Sequence, residues 1–152
     1  MTQDPAILGF LGRALSFELS AVQQYLSLAR LLQLRGMTEV GQRLRQEAQD
    51  EMEHADRIIG RMLALGVAPN ASQLRPPRLD GCVTDVLQHA ARLEHDIISL
   101  YTQAVEYCAR RQDHENRLFF DTLLQEERQH AGAIDQWQQS LTAGEWGRDT
   151  KT

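Results

Sequence analysis

Residues 49–70 read QDEMEHADRIIGRMLALGVAPN. Periodicity and punctuation place the front of this stretch on a long helix. That helix starts near Thr38, carries Glu39 in its first turn and stops at Gly66, before the loop chemistry of Pro69 and Asn70. Within it, Glu51 and His54 stand three residues apart. Side chains at that spacing leave a helix about 60° apart in projection, on one face and one turn apart. One Glu-x-x-His pair is a weak signal, because a solvated helical face carries one by chance.

A second copy changes that. Glu127-Arg128-Gln129-His130 repeats the pair. Two further glutamates stand in apolar surroundings: Glu18 in LSFELSA and Glu94 in AARLEHDIISL. A glutamate facing a core is costly unless it is paired, neutralised or bound to a metal. The spacing links them all, since 18 to 94, 51 to 127 and 54 to 130 are each 76 positions. Tyr25 and Tyr101 keep the same offset, each seven residues after its glutamate and on the same helical face. The chain is therefore an internal pseudo-repeat centred on its polar residues.

Four helices accommodate the repeat. The first opens with Asp4 as N-cap and Pro5 in the first turn, and ends at Gly36. Its apolar residues cover more than one stripe, so one face is expected in its own bundle and another against a partner chain. After the second helix comes a long connection with Ser72, Pro76, Pro77 and Gly81. The third helix is expected from Asp80 to about Arg111, and the fourth from a polar turn at Asp113 to Leu141. Short, long and short connections predict an all-α fold: a ferritin-like antiparallel four-helix bundle with a long crossover between the second and third helices. The bundle spans about residues 5–141 of a single domain, 1–152, and residues 142–152 form a polar tail.

Composition bounds the function. With 152 residues, 42% of them hydrophobic and 24% charged, the chain can bury a sizeable core. Its formal charge of −5 and lack of a basic patch argue against a nucleic-acid partner. The opening MTQDPAILGFLGRALSFELS has no basic n-region, and no run approaches the length of a membrane span, so neither a secretory signal nor a membrane partner is expected. Cys82 and Cys108, if on one helix, lie about 39 Å apart at 1.5 Å per residue; no disulfide forms, and a reduced cytoplasmic setting fits.

Carboxylate oxygens and imidazole nitrogens suit first-row metals such as Fe, Mn or Zn, and the lack of cysteine ligands disfavours a structural zinc site. Four glutamates and two histidines give two metals one terminal Glu and one His each, leaving two carboxylates to bridge.

On these residues, over roughly 5–141, the chain resembles a bacterioferritin, most specifically in the quoted stretch. The resemblance implies that Glu18, Glu51, His54, Glu94, Glu127 and His130 are ligands of a di-iron ferroxidase centre. It implies that Tyr25 lies beside that centre and hydrogen-bonds a ligand carboxylate. It further implies oxidation of Fe(II) by dioxygen or peroxide, and storage of ferric mineral in a hollow twenty-four-subunit shell built from dimers. Mixed assembly with a second ferritin-like subunit is compatible with it. Met52, in the family's register, is implied to pair with its twofold mate as axial ligand of a haem b shared between two subunits, with Ala48 and Ala55 leaving room and Arg45 near a propionate. Met filling a dimer interface is the alternative.

Departures from the family qualify this. Gln46 stands where a histidine often joins Asp50 on the inner surface, and Tyr101 is unusual for a bacterioferritin. The short tail predicts a truncated or missing fifth helix. Ile97 occupies the place of a further glutamate in rubrerythrins, against that peroxidase. The runner-up function is a small di-iron oxidase or peroxidase that never mineralises; a third is a non-catalytic, haem-bearing partner in a mixed shell. Glu47 and Glu53 are expected to be solvated, with lining an iron path as the alternative for either, and His89, His95 and His114 to be surface or satisfied structural histidines. Trp137 is assigned to packing, whereas no role is assignable to Trp146.

Overall fold

A computed structural model describes residues 4–142, with the side chains of 141 and 142 left aside. Four helices follow one another: α1 (Pro5–Leu34), α2 (Thr38–Ala64), α3 (Val83–Arg110) and α4 (His114–Thr142). Helix α1 packs along α2, α3 along α4, and α1 against α3, which makes two antiparallel hairpins side by side. The polar tail, Trp146 and the expectation of a shortened fifth helix lie outside the described residues.

Local chemistry sets the ends. Asp4 accepts a hydrogen bond from the Ala6 amide at 2.9 Å, capping α1, and its other oxygen accepts from Tyr107 Oη at 2.7 Å. The start of α1 is thereby tied to the end of α3. Gly36 adopts φ 82°, a conformation side chains disfavour, and reverses the chain between α1 and α2. Between α3 and α4 the left-handed residue is Gln112, at φ 56°. The third helix begins three residues later than expected: its N-cap is Cys82, and Asp85 accepts from the Cys82 amide at 2.9 Å. Asp80 lies before the cap.

The crossover, residues 65–82, is fastened to α1 by a polar stripe at i, i+4 and i+8. Ser16 Oγ accepts from Gln73 N (3.3 Å), Ser20 Oγ accepts from Arg75 N (2.8 Å), and Gln24 both donates to and accepts from the Arg78 backbone, each at 2.8 Å. These bonds satisfy backbone groups of a segment that has no regular structure of its own.

The core runs the length of the bundle, through Leu11, Leu28, Leu32, Leu44, Ile58, Leu87, Ile97, Phe120 and Ile134. One expectation about membranes needs correcting. Helix α1 is long and apolar enough to cross one by length and composition. More than half of its most apolar stretch is buried inside the bundle, however, as in the core helix of a soluble protein. Its apolarity follows from touching both α2 and α3.

Candidate metal centre

Each helix delivers one acidic position to the middle of the bundle. Glu18 (α1), Glu51 (α2), Glu94 (α3) and Glu127 (α4) are all fully buried. The i, i+3 spacing on α2 and α4 adds His54 and His130, also buried. All six residues singled out by the repeat thus meet at one level. They form two overlapping groups whose ligand atoms lie within 4.8 Å of one another: Glu18, Glu51, His54, Glu127, and Glu51, Glu94, Glu127, His130. Glu51 and Glu127 belong to both.

Hydrogen bonds account for part of this polar cluster. Tyr25 Oη donates to Glu94 Oε1 at 2.6 Å, and Tyr101 Oη donates to Glu18 Oε1 at 2.7 Å. His54 Nδ1 lies 2.8 Å from Glu127 Oε1. Left without a hydrogen-bond partner are Glu18 Oε2, both oxygens of Glu51, Glu94 Oε2, Glu127 Oε2 and His130 Nδ1, the last in ion-pair contact with Glu51. Buried polar atoms without partners are costly and uncommon. Five carboxylate oxygens and one imidazole nitrogen turned on one another fit a pair of divalent cations, with Glu51 and Glu127 placed to bridge.

Titration behaviour reflects the crowding. Burial, then repulsion from the neighbouring carboxylates, pushes Glu51 well above the ordinary carboxylate range. Burial and the Glu127 charge do the same to Glu94, and burial followed by the Glu18 charge raises Glu127 to about 7. Glu18 is the exception. Burial opposes its ionisation, but hydrogen bonding with His54, Glu51 and Glu127 lowers it to about 2. Burial likewise works against a charged His54, yet the carboxylates of Glu127 and Glu18 hold it up to about 10. Burial and the adjacent carboxylates raise both tyrosines, which remain phenols and therefore donors.

Around the six lies a polar rim that sequence reasoning misjudged. Glu47, expected in solvent, is only 12% exposed, with its Oε2 3.6 Å from His130 Nε2. Burial raises its carboxyl above the usual range. It stands one turn before Glu51 on the same face, a signal that the repeat does not contain. Asp50 Oδ2 lies 3.5 Å from the same nitrogen, and Gln46 donates to Asp50 Oδ1 at 3.1 Å. Across the bundle, Glu126 Oε2 lies 3.4 Å from His54 Nε2 and accepts from Arg57 at 2.6 Å. A cavity of about 200 Å³ opens over this rim, lined by Asp50, Glu53, Arg57, Glu126 and both histidines. Glu53 is exposed, as expected.

Other residues fall elsewhere. Met52 is 52% exposed, on the outer side of α2 and away from the cluster. Ala48 and Ala55, expected to leave room beside Met52, are buried within the bundle. Arg45 donates to Gln33 at 3.3 Å. His89 lies under the crossover with its side chain 10% exposed; neither ring nitrogen makes a hydrogen bond, and Nε2 lies 3.5 Å from Asp80 Oδ1. His95 and His114 are exposed, and Trp137 packs against the core.

A family model described as Ferritin-like domain matches residues 9–142. Among similar proteins, the bacterioferritin of Rhodobacter capsulatus is 34% identical over 135 residues, 89% of this chain and 84% of that one. A bacterial ferritin of Synechocystis is 34% identical over 132 residues, 86% of this chain and 85% of that one. A solved structure of the Rhodobacter capsulatus bacterioferritin, with a metal-free dinuclear site and haem iron, has a TM-score of 0.84 at 34% identity, covering 90% of this chain and 85% of that chain.

Proposed function

The chain belongs to the bacterioferritins of the ferritin-like family, and from that premise we propose that it oxidises Fe(II) at the buried Glu/His cluster and stores the ferric product inside a shell of its own copies. The observation that carries this reading is the pair of overlapping four-ligand groups sharing Glu51 and Glu127. Fe(II) is both substrate and cargo, and two such ions held side by side can deliver two electrons together to dioxygen or peroxide.

The residues have distinct roles. Glu18 with His54, and Glu94 with His130, are the terminal ligands; Glu51 and Glu127 bridge. Tyr25 fixes Glu94 through its hydrogen bond. Buried carboxylates supply negative charge that offsets the cations and favours the more highly charged oxidised form. The acidic rim of Asp50, Glu53 and Glu126 draws cations toward the site from outside. Rapid Fe(II) oxidation is expected at about two irons per subunit. Stopped-flow measurement on Glu18→Ala and Glu127→Ala should show the fast phase lost while helicity is retained; unchanged kinetics in both would overturn the assignment.

Self-association is part of the proposal. Leu34, Met52 and Leu63 on the first hairpin are exposed large apolar residues, as are Leu74 on the crossover and Leu118 on α4; those of the first hairpin are consistent with an antiparallel dimer as the building block of a closed shell. Light scattering tests this, and a stable monomer would refute it. Co-assembly with a second ferritin-like subunit is an option for the same surface. Met52, exposed where a twofold mate can reach it, is proposed as one of two axial thioethers of a shared haem b. A Soret band that survives Met52→Leu unchanged would return Met52 to packing. Free thiols at Cys82 and Cys108 support a reduced, cytoplasmic setting.

A non-mineralising di-iron oxidase or peroxidase is the second reading, favoured by the Tyr101–Glu18 hydrogen bond. Iron loading separates the two: a storage shell accumulates ferric iron far beyond two per subunit, and an oxidase does not.

A further inference from the structure

Two tyrosines reach the centre, and each serves a carboxylate in the opposite half of the repeat. Tyr25 on α1 donates to Glu94 on α3, and Tyr101 on α3 donates to Glu18 on α1. Both phenols are buried, at 1% and 0% exposure, so water cannot substitute for them as donors. Each occupies Oε1 of its glutamate, and in each case Oε2 is left buried without a hydrogen bond. Glu51, which no tyrosine reaches, has no hydrogen bond to either oxygen and meets His130 Nδ1 as an ion pair. Glu127 likewise has one oxygen without a hydrogen bond, but its Oε1 is met by His54 rather than by a phenol, so Glu18 and Glu94 are the two carboxylates that a tyrosine holds.

We infer that Tyr101 is a positioning residue of the centre, holding Glu18 Oε1 so that Oε2 alone faces a cation, as Tyr25 does for Glu94. This rests on the two-metal reading above. Without the phenol, the Glu18 carboxylate can rotate about its terminal torsion, and its buried Oε1 keeps only the contact with His54 Nδ1 at 3.5 Å. The ring is located independently of the carboxylate. It packs on Phe120, with centroids 6.2 Å apart, and Phe120 in turn meets Phe10 edge-on at 6.1 Å. Aromatic packing from α1 and α4 thus sets the phenol, and the phenol sets the ligand. Each of the two metal positions then has one terminal carboxylate restrained from across the bundle.

Removing a hydrogen bond to a charged group typically costs enough to change an equilibrium by about tenfold or more. Tyr101→Phe keeps the ring and its packing while removing only the donor. Crystals of the apo protein soaked with limiting Co(II) report the occupancy of each position through the cobalt anomalous signal. Taking the unmutated protein as reference, Tyr101→Phe should tip occupancy about tenfold toward the Glu94/His130 position. Tyr25→Phe should tip it the other way, and the double variant should return the ratio close to the reference. Cobalt bound at the six residues with a ratio unmoved by Tyr101→Phe would overturn the inference and leave the two-metal reading standing. No cobalt at these residues in the unmutated protein would overturn both. Should Tyr101→Phe fail to assemble, Tyr25→Phe decides: the matched arrangement requires occupancy to tip toward Glu18/His54, and no tip refutes it.

Discussion

His54 on α2 and His130 on α4 stack across the middle of the bundle, with ring centroids 5.4 Å apart and planes 13° from parallel. Their Nδ1 atoms face the shared carboxylates, and their Nε2 atoms face outward to acids: Glu126 for His54, Asp50 and Glu47 for His130. Glu126 and Asp50 each immediately precede a glutamate shared by the two groups, so the internal repeat extends to these outer partners. An outward Nε2–H donated to a carboxylate leaves the Nδ1 lone pair turned inward, the tautomer a metal requires.

Substituting these outer acids should therefore weaken metal binding without touching a ligand. For Glu126→Gln and for Asp50→Asn, a loss of roughly tenfold or more in Co(II) affinity is expected, the usual cost of losing an outer partner. Competition titration against a chelator measures it. Unchanged affinity in both variants would mean that the histidines are oriented by packing alone.

The metal should stabilise the fold more as pH rises. Glu127, raised from 4.5 to about 7, contributes stability that is full below 4.5 and fades as pH passes about 7; Glu51 and Glu94 have the same sign. His54, raised from 6.5 to about 10, contributes fully below 6.5 and loses its contribution toward about 10. Glu18, lowered to about 2, acts oppositely, losing its contribution only as pH falls from 4.5 toward about 2. The metal-free protein is thus expected to weaken through the neutral and alkaline range, while divalent cations replace the protons. Thermal unfolding with and without Zn(II) should give a difference in Tm that grows with pH across that window. A constant difference would contradict the assignment of these shifts.

The two thiols should differ sharply. Cys108 is fully buried, and burial followed by the nearby Asp113 raises its pKa to about 11, which suppresses the thiolate. Cys82 is exposed at the start of α3. One thiol per native chain should react quickly with an aromatic disulfide reagent, the second only after denaturation. Cys82→Ser should abolish the fast reaction.

Two glycines on α2 should respond to alanine with opposite signs. A Cβ at Gly41 would lie 2.6 Å from Gln33 Cγ and 2.9 Å from the Ala29 carbonyl oxygen, where α1 and α2 approach closely. Backbone cannot yield as a flexible side chain can, so the clash should outweigh the roughly 1 kcal/mol gained in helix propensity. At Gly60 nothing lies within 4 Å, and alanine should stabilise by up to about 1 kcal/mol. Urea midpoints for the two variants moving in the same direction would refute this.

Sequence alone determined the four helices, apart from the start of α3, and the six buried residues that the fold brings together. Helical periodicity is a local property, and the 76-residue repeat of Glu, Glu-x-x-His and Tyr states which faces must converge. The Asp4 cap and the Gly36 turn were legible for the same reason, since each depends on its own neighbours. Tertiary structure decided what depends on the other hairpin. The repeat shows Tyr25 and Tyr101 to be equivalent, but not that each phenol crosses to the opposite half's carboxylate. Glu47 is buried only because His130 on α4 closes over it. The stripe of Ser16, Ser20 and Gln24 has no meaning until the crossover lies along α1 and needs its backbone groups satisfied. Each of these joins residues more than fifty positions apart, and no local pattern encodes which distant partner a buried polar atom will meet.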